Sequence, residues 1–333
     1  MRLATCVLLA CILVSAPPAA AQQQRSPEAC GTDTVINIYR HVLDLEPPES
    51  PALVALGATT SYTRAATAPK PLALSLVSVV RGAAAPVTGA AIDVSPYFLV
   101  GGGARALCSY RENSIAGRMT RVGIKTIVSV GVLPLGGFAD AVRFGIGIRS
   151  TMHDPHDPIN NSELVRRLPP AAPDDELPPA VAAERSAYQD AARSMRARDR
   201  SIVSGGWGAA TTLVDGSFSS REGGWRHALW LSWQRTLDAR FDMLFTGEAS
   251  LERGEASTYR LTTAARRKHG AADLLLEAAF DTGDERLHYG LSGEARVAAR
   301  VRAAVGILTE PAAAPAGGRV LRAAVSVRWS AGY

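Results

Sequence analysis

Over its last fifteen residues the chain alternates strictly between apolar and polar positions. Leu321, Ala323, Val325, Val327, Trp329, Ala331 and Tyr333 share one face, while Arg322, Ala324, Ser326, Arg328, Ser330 and Gly332 share the other. A period of two is the signature of a half-buried β-strand, so a strand is predicted over 319–333. The same period recurs upstream. At 118–132, Thr120, Val122, Ile124, Thr126, Val128, Val130 and Val132 oppose Arg121, Lys125 and Ser129. At 140–149, Val142, Phe144, Ile146 and Ile148 oppose Arg143, Gly145, Gly147 and Arg149.

Beyond residue 200 the alternation becomes dense. It predicts strands at 201–214, 225–237, 239–252, 257–267, 271–281, 286–298, 300–309 and 319–333, with turn chemistry at 268–270, 282–285 and 310–318. Adding 53–63 and 91–101 gives about twelve strands. The run 71–80 (PLALSLVSVV) reads equally as a strand or a buried helix, which widens the range to 10–14.

Strands with one apolar face, one polar face and an aromatic C-terminal end resemble those of bacterial outer-membrane β-barrel proteins, whose lipid side is apolar and whose lumen is polar. The resemblance covers 53–333 and is architectural. It implies an all-β fold, a transmembrane antiparallel β-barrel of even strand number, in the bacterial outer membrane. It further implies outer-membrane lipid and the barrel assembly machinery as partners, with Val325, Val327, Trp329 and Tyr333 as the membrane insertion signal.

The N-terminus agrees with export. Arg2, the apolar run 3–14 and the small residues Ala19, Ala20 and Ala21 form a secretory signal peptide over 1–21. Cys11 lies inside the apolar run and makes a poor lipidation site. Residues 22–51 are expected to form a periplasmic N-terminal segment, and 52–333 the barrel, interrupted by a proline-rich and helical insert at 151–200. Counting strands back from a periplasmic C-terminus places that insert in the periplasm. After the leader no apolar run reaches the length of a spanning helix. The remaining cysteines, Cys30 and Cys108, could form a disulfide in an oxidising compartment, but spacing alone does not establish it.

Catalytic and cofactor signals are sparse. His153, Asp154, His156 and Asp157 are metal-type donors, yet they sit on a proline-broken stretch that reads first as a turn, so no metal site is assigned. Outer-membrane lipid hydrolases resemble one another in a His-x-Ser pair, and none of His41, His153, His156, His227, His269 or His288 has serine at that spacing. No enzyme, cofactor or nucleic-acid partner is predicted.

The inward faces are richer. Arg121, Lys125, Arg143, Arg149, Arg302, Arg322 and Arg328 would form a basic wall, and Asp242, Glu248, Arg260, Asp273 and Glu277 a wall of alternating sign. Net charge is +5, or +4 once Arg2 leaves with the leader. Opposed charge walls resemble those of general porins. They suggest a narrow channel for small hydrophilic solutes with weak anion preference. The alternative is a lumen filled by its own paired side chains, in a closed barrel acting as an envelope scaffold or binding a partner through the insert.

Overall fold

The computed structural model describes residues 50–64, 72–82, 84–99, 114–135, 141–154, 183, 187, 191, 201–238, 240–252, 254, 256–269, 272–298, 301–311 and 319–330. The leader 1–21, the segment 22–49, Cys30, Cys108, Tyr333 and nearly all of the insert lie outside the described residues.

Twelve antiparallel strands close into one barrel in sequence order. They are β1 (Leu72–Arg81), β2 (Val87–Val94), β3 (Thr126–Pro134), β4 (Ala141–His153), β5 (Ser201–Val214), β6 (Ser217–Thr236), β7 (Phe241–Glu252), β8 (Thr258–His269), β9 (Ala272–Asp281), β10 (Arg286–Ala298), β11 (Val301–Pro311) and β12 (Arg319–Ser330). The seam joins β1 to β12, from Ala73 opposite Ser330 to Arg81 opposite Arg322. Its outward pairs are apolar, Leu74 with Trp329 and Leu76 with Val327, whereas Ser75 meets Arg328 on the enclosed face. Matching faces across the seam fix register, because a slip of one residue would turn every side chain to the wrong side.

The alternation produces the expected exterior. Leu76, Ile92, Val130, Ile148, Leu231, Phe245, Leu261, Leu276, Leu291, Ile307 and Val327 are exposed, so every strand except β5 contributes a large apolar residue to the outer surface. An apolar belt around a closed barrel is the surface that hydrocarbon solvates and water does not. Trp233 stacks on Phe245 at 5.2 Å between ring centres and donates its indole N–H to Ser201 Oγ at 2.6 Å, on the outer surface near one rim. Such a ring, apolar in body and polar at its tip, suits a membrane interface.

Four expectations need correction. The expected strand 91–101 lies instead at Val87–Val94, followed by a single helical turn at Pro96–Leu99, and the strand expected at 225–237 begins at Ser217. The expected strand 53–63 is instead a helix, α1 (Pro51–Leu56), followed by extended chain inside the barrel, and the first strand is Leu72–Arg81, the run left open between strand and helix. The expected strand 118–132 is divided. Residues 118–124 belong to a helix, α2 (Ile115–Ile124), and only Thr126–Pro134 is strand. Ser114 caps α2, its Oγ accepting from Gly117 N at 3.0 Å, and Ile124 is fully buried rather than lipid-facing. Alternating β-branched residues at 120–124 fit a helix equally once a cap precedes them.

Candidate functional site

The lumen is occupied by the chain itself. Residues 50–64 run through it, and α1 forms the first half of this segment. Pro51 stands at its first turn, where no amide donor is missed. Gly57 ends it with φ of 71°, while Gly57 N and Ala58 N return to the carbonyls of Val54 (3.0 Å) and Leu53 (2.9 Å), a Schellman closure that favours glycine. All six helical residues are buried. A helix apolar on every side must be enclosed on every side. Here Ala52, Leu53, Ala55 and Leu56 share a core with Val77, Val79, Ala91, Leu133, Ala210 and Ala324 of the wall. Each buried leucine is worth about 1.5–3 kcal/mol.

Glycines on β4 and β5 make room for α1. A Cβ at Gly147 would lie 2.6 Å from Pro51 Cβ, one at Gly145 2.9 Å from Leu56 Cγ, and one at Gly208 2.8 Å from Ala55 Cβ. Polar groups fix the entrance: Ser50 Oγ donates to Asp93 at 2.6 Å and Ala52 N to Ser129 Oγ at 2.7 Å.

The second half, 57–64, is held by hydrogen bonds. Arg322 donates to the carbonyls of Gly57 (2.8 Å) and Thr59 (3.0 Å). The carbonyl of Thr60 rests where a Cβ on Gly306 would be. Tyr62 donates its hydroxyl to the Thr309 carbonyl, and its ring lies 5.2 Å from the Arg260 guanidinium. Glu277 accepts from Tyr62 N (2.7 Å), Thr63 N (2.8 Å) and Ser61 Oγ (2.9 Å). Arg64 pairs with Glu248 at 3.2 Å, and its amide donates to Thr246 Oγ1 at 3.2 Å.

The wall charges pair with one another. Asp242, fully buried, meets Arg266, Lys268 (2.7 Å) and Gln234 (3.0 Å). Arg260 meets Asp281 at 2.6 Å, and Asp273 lies 3.9 Å from Arg266. Arg302 and Arg328 share Glu294 at 3.2 and 2.6 Å, while Arg322 pairs with Glu310 at 2.9 Å. Arg149 is buried on β4, and Arg143 is half-buried there opposite Leu133. Arg121 and Lys125 are the exceptions. Arg121 lies in the last turn of α2 and Lys125 just beyond it, where its ammonium is 3.7 Å from Asp154. Neither is carried by a strand.

Three members of the expected basic wall, Arg302, Arg322 and Arg328, thus pair with acids, as the alternative of a lumen filled by its own paired side chains implies. Glu310 falls in the turn expected at 310–318, but β11 continues through Pro311 and turns it inward opposite Val320. Ser61 and Tyr62 fall inside the expected strand 53–63 and Arg64 just beyond it, so reading that run as wall hides all three as filling. The helix signals, Pro51 after Ser50 and glycine at 57, were present. Of the metal-type donors, His153 ends β4 and Asp154 faces Lys125, while His156 and Asp157 lie outside the described residues.

Fold and outer surface define the class: a transmembrane β-barrel of the bacterial outer membrane, with a chain segment in its lumen. No family model matches the chain, and no characterised protein matches it in sequence. Among solved structures it is similar to the KdgM porin in complex with disordered oligogalacturonate, with a TM-score of 0.42 and 8% identity over 78% of this chain and 99% of that one. It is also similar to the Acinetobacter baumannii outer membrane protein Omp33 (TM-score 0.36, 7% identity, 79% and 98% coverage). A third similar structure is the Pseudomonas putida toluene transporter TodX (0.35, 10%, 86% and 99%).

Proposed function

We propose that this protein is a channel for small hydrophilic solutes whose lumen is closed, in the state described, by its own residues 50–64. The supporting observation is the way that segment is held. It belongs to no strand, and its second half is fastened by hydrogen bonds to polar wall groups: Glu277, Glu248, Thr246 and Arg322. A lumen built only to be solid would be filled with apolar side chains, since burying charge brings little net stability. Displacement of the segment exposes a polar, water-compatible path. Anion preference is weak on this reading, because Glu294 and Glu310 offset Arg302, Arg328 and Arg322.

The second reading, a closed barrel serving as envelope scaffold, draws support from the same occupied lumen. Planar-bilayer conductance separates the two. The chain with 50–64 replaced by an equally long Gly-Ser stretch is expected to conduct persistently, whereas the natural chain opens rarely. A replaced variant that is folded and silent leaves the scaffold.

A further inference from the structure

Over 57–64 the wall grips the segment's backbone as well as its side chains, Ser61 through Glu277 and Tyr62 through Ala279, Leu308 and the Thr309 carbonyl. Glu277, only 2% exposed, takes two consecutive amide N–H groups, at 2.7 Å from Tyr62 and 2.8 Å from Thr63. From the other side Arg322, 4% exposed, takes two carbonyls, at 2.8 Å from Gly57 and 3.0 Å from Thr59. A carboxylate for amide donors and a guanidinium for amide acceptors together read a peptide main chain. The one charge that the segment presents, Arg64, is received by Glu248 at 3.2 Å, with Thr246 taking its amide. This half differs from α1, which the barrel holds by apolar packing over glycines. Packing alone would close a lumen; charged groups placed against main-chain atoms form a binding site.

We propose that Glu277, Thr246, Glu248 and Arg322 form a luminal binding site for an extended peptide carrying a cationic residue, with 57–64 as its resident occupant. This deepens the channel reading and rests on it, since it names short cationic peptides as the solute class that competes for the lumen. A tethered occupant acts at an effective concentration of about millimolar, so a free peptide binds the natural chain poorly below that range. Removing the resident uncovers the site.

The test uses the full-length chain with 57–64 replaced by an equally long Gly-Ser stretch, folded in detergent, and calorimetric titration with the octapeptide Gly-Ala-Thr-Thr-Ser-Tyr-Thr-Arg. Saturable binding is expected. It should weaken about tenfold or more when Glu277→Gln is added, and similarly when the peptide amides matching Tyr62 and Thr63 are N-methylated, each change removing a charge-assisted hydrogen bond. If the replaced chain fails to fold, Thr63→Pro in the otherwise natural chain removes one donor to Glu277 and loosens the resident, and it should bind the octapeptide more tightly than the natural chain does. No saturable binding by whichever variant folds, or binding indifferent to Glu277→Gln and to N-methylation, overturns the site. Because the readout is binding, a folded chain with all of 50–64 replaced that binds the octapeptide but passes no current would end the channel reading while leaving the site standing.

Discussion

Glu277 shows what one luminal residue has to satisfy. A buried carboxylate is tolerated only among donors, and this one has the Tyr62 and Thr63 amides, the Ser61 hydroxyl and, at 3.4 Å, the Ser292 hydroxyl. Glu277→Ala strands two main-chain N–H groups, at about 1–3 kcal/mol for each one left unsatisfied. The expected outcome is faster hydrogen exchange at the Tyr62 and Thr63 amides and a lower unfolding temperature; unchanged exchange would mean that these amides do not depend on Glu277. That Glu277 faces inward was legible from the two-residue period of its strand. Its partners were not, because strand period says which way a residue points and nothing about what segment enters the enclosed space. The same limit applies to Arg322 and Arg328, whose inward direction was legible while their pairing with Glu310 and Glu294 depended on cross-strand register.

At the scale of the element, α1 and the glycines opposite it form one unit. Gly147→Val inserts atoms where Pro51 Cβ lies within 2.6 Å of even a single added carbon, and overpacking of this kind costs about 1–3 kcal/mol. Because α1 is joined to the wall by packing rather than by strand hydrogen bonds, the strain is expected to move the segment before it opens the sheet. Protease access to 50–64 should rise while the barrel remains heat-modifiable in detergent gels; loss of the barrel with no prior exposure of the segment would contradict that order. The exterior makes a separate demand. Val327 is 42% exposed on β12, and Val327→Arg is expected to impair membrane insertion by about 2–4 kcal/mol near the bilayer midplane. Wild-type recovery in outer membranes would remove Val327 from the lipid face. Strands after residue 200 are legible nearly to their ends where alternation is long and uninterrupted; β6 is the exception, since its first eight residues, 217–224, carry polar residues and glycines that read as a turn. The region 50–135 was not, since Leu53, Ala55 and Gly57 suit a strand face as well as a helix, and 71–80 is apolar enough to suit either.

For the whole molecule, strand order assigns the two rims. The turns at 215–216 and 282–285 share one rim, and the β6–β7 connection shares the other with the strand ends that lead to the insert; if β12 ends in the periplasm, the first rim faces outward. After replacement of Cys30 and Cys108, a membrane-impermeant thiol reagent is expected to label Gly283→Cys in intact cells and to spare Asp238→Cys; the reverse pattern inverts the barrel. The central claim is that residues 50–64 close the lumen reversibly, and a disulfide lock tests it most directly. A Cβ on Gly131 would stand 3.1 Å from Ala52 Cβ, a few tenths of an ångström short of the disulfide range of about 3.5–4.5 Å, a gap that a small shift of α1 closes. In a chain without Cys30 and Cys108, the pair Ala52→Cys and Gly131→Cys should therefore bond α1 to β3. Single-channel recording of this variant is expected to show a silent barrel when oxidised and intermittent openings after reduction. Equal current in both states, or none after reduction in a barrel that remains folded, would contradict a luminal segment that gates the pore.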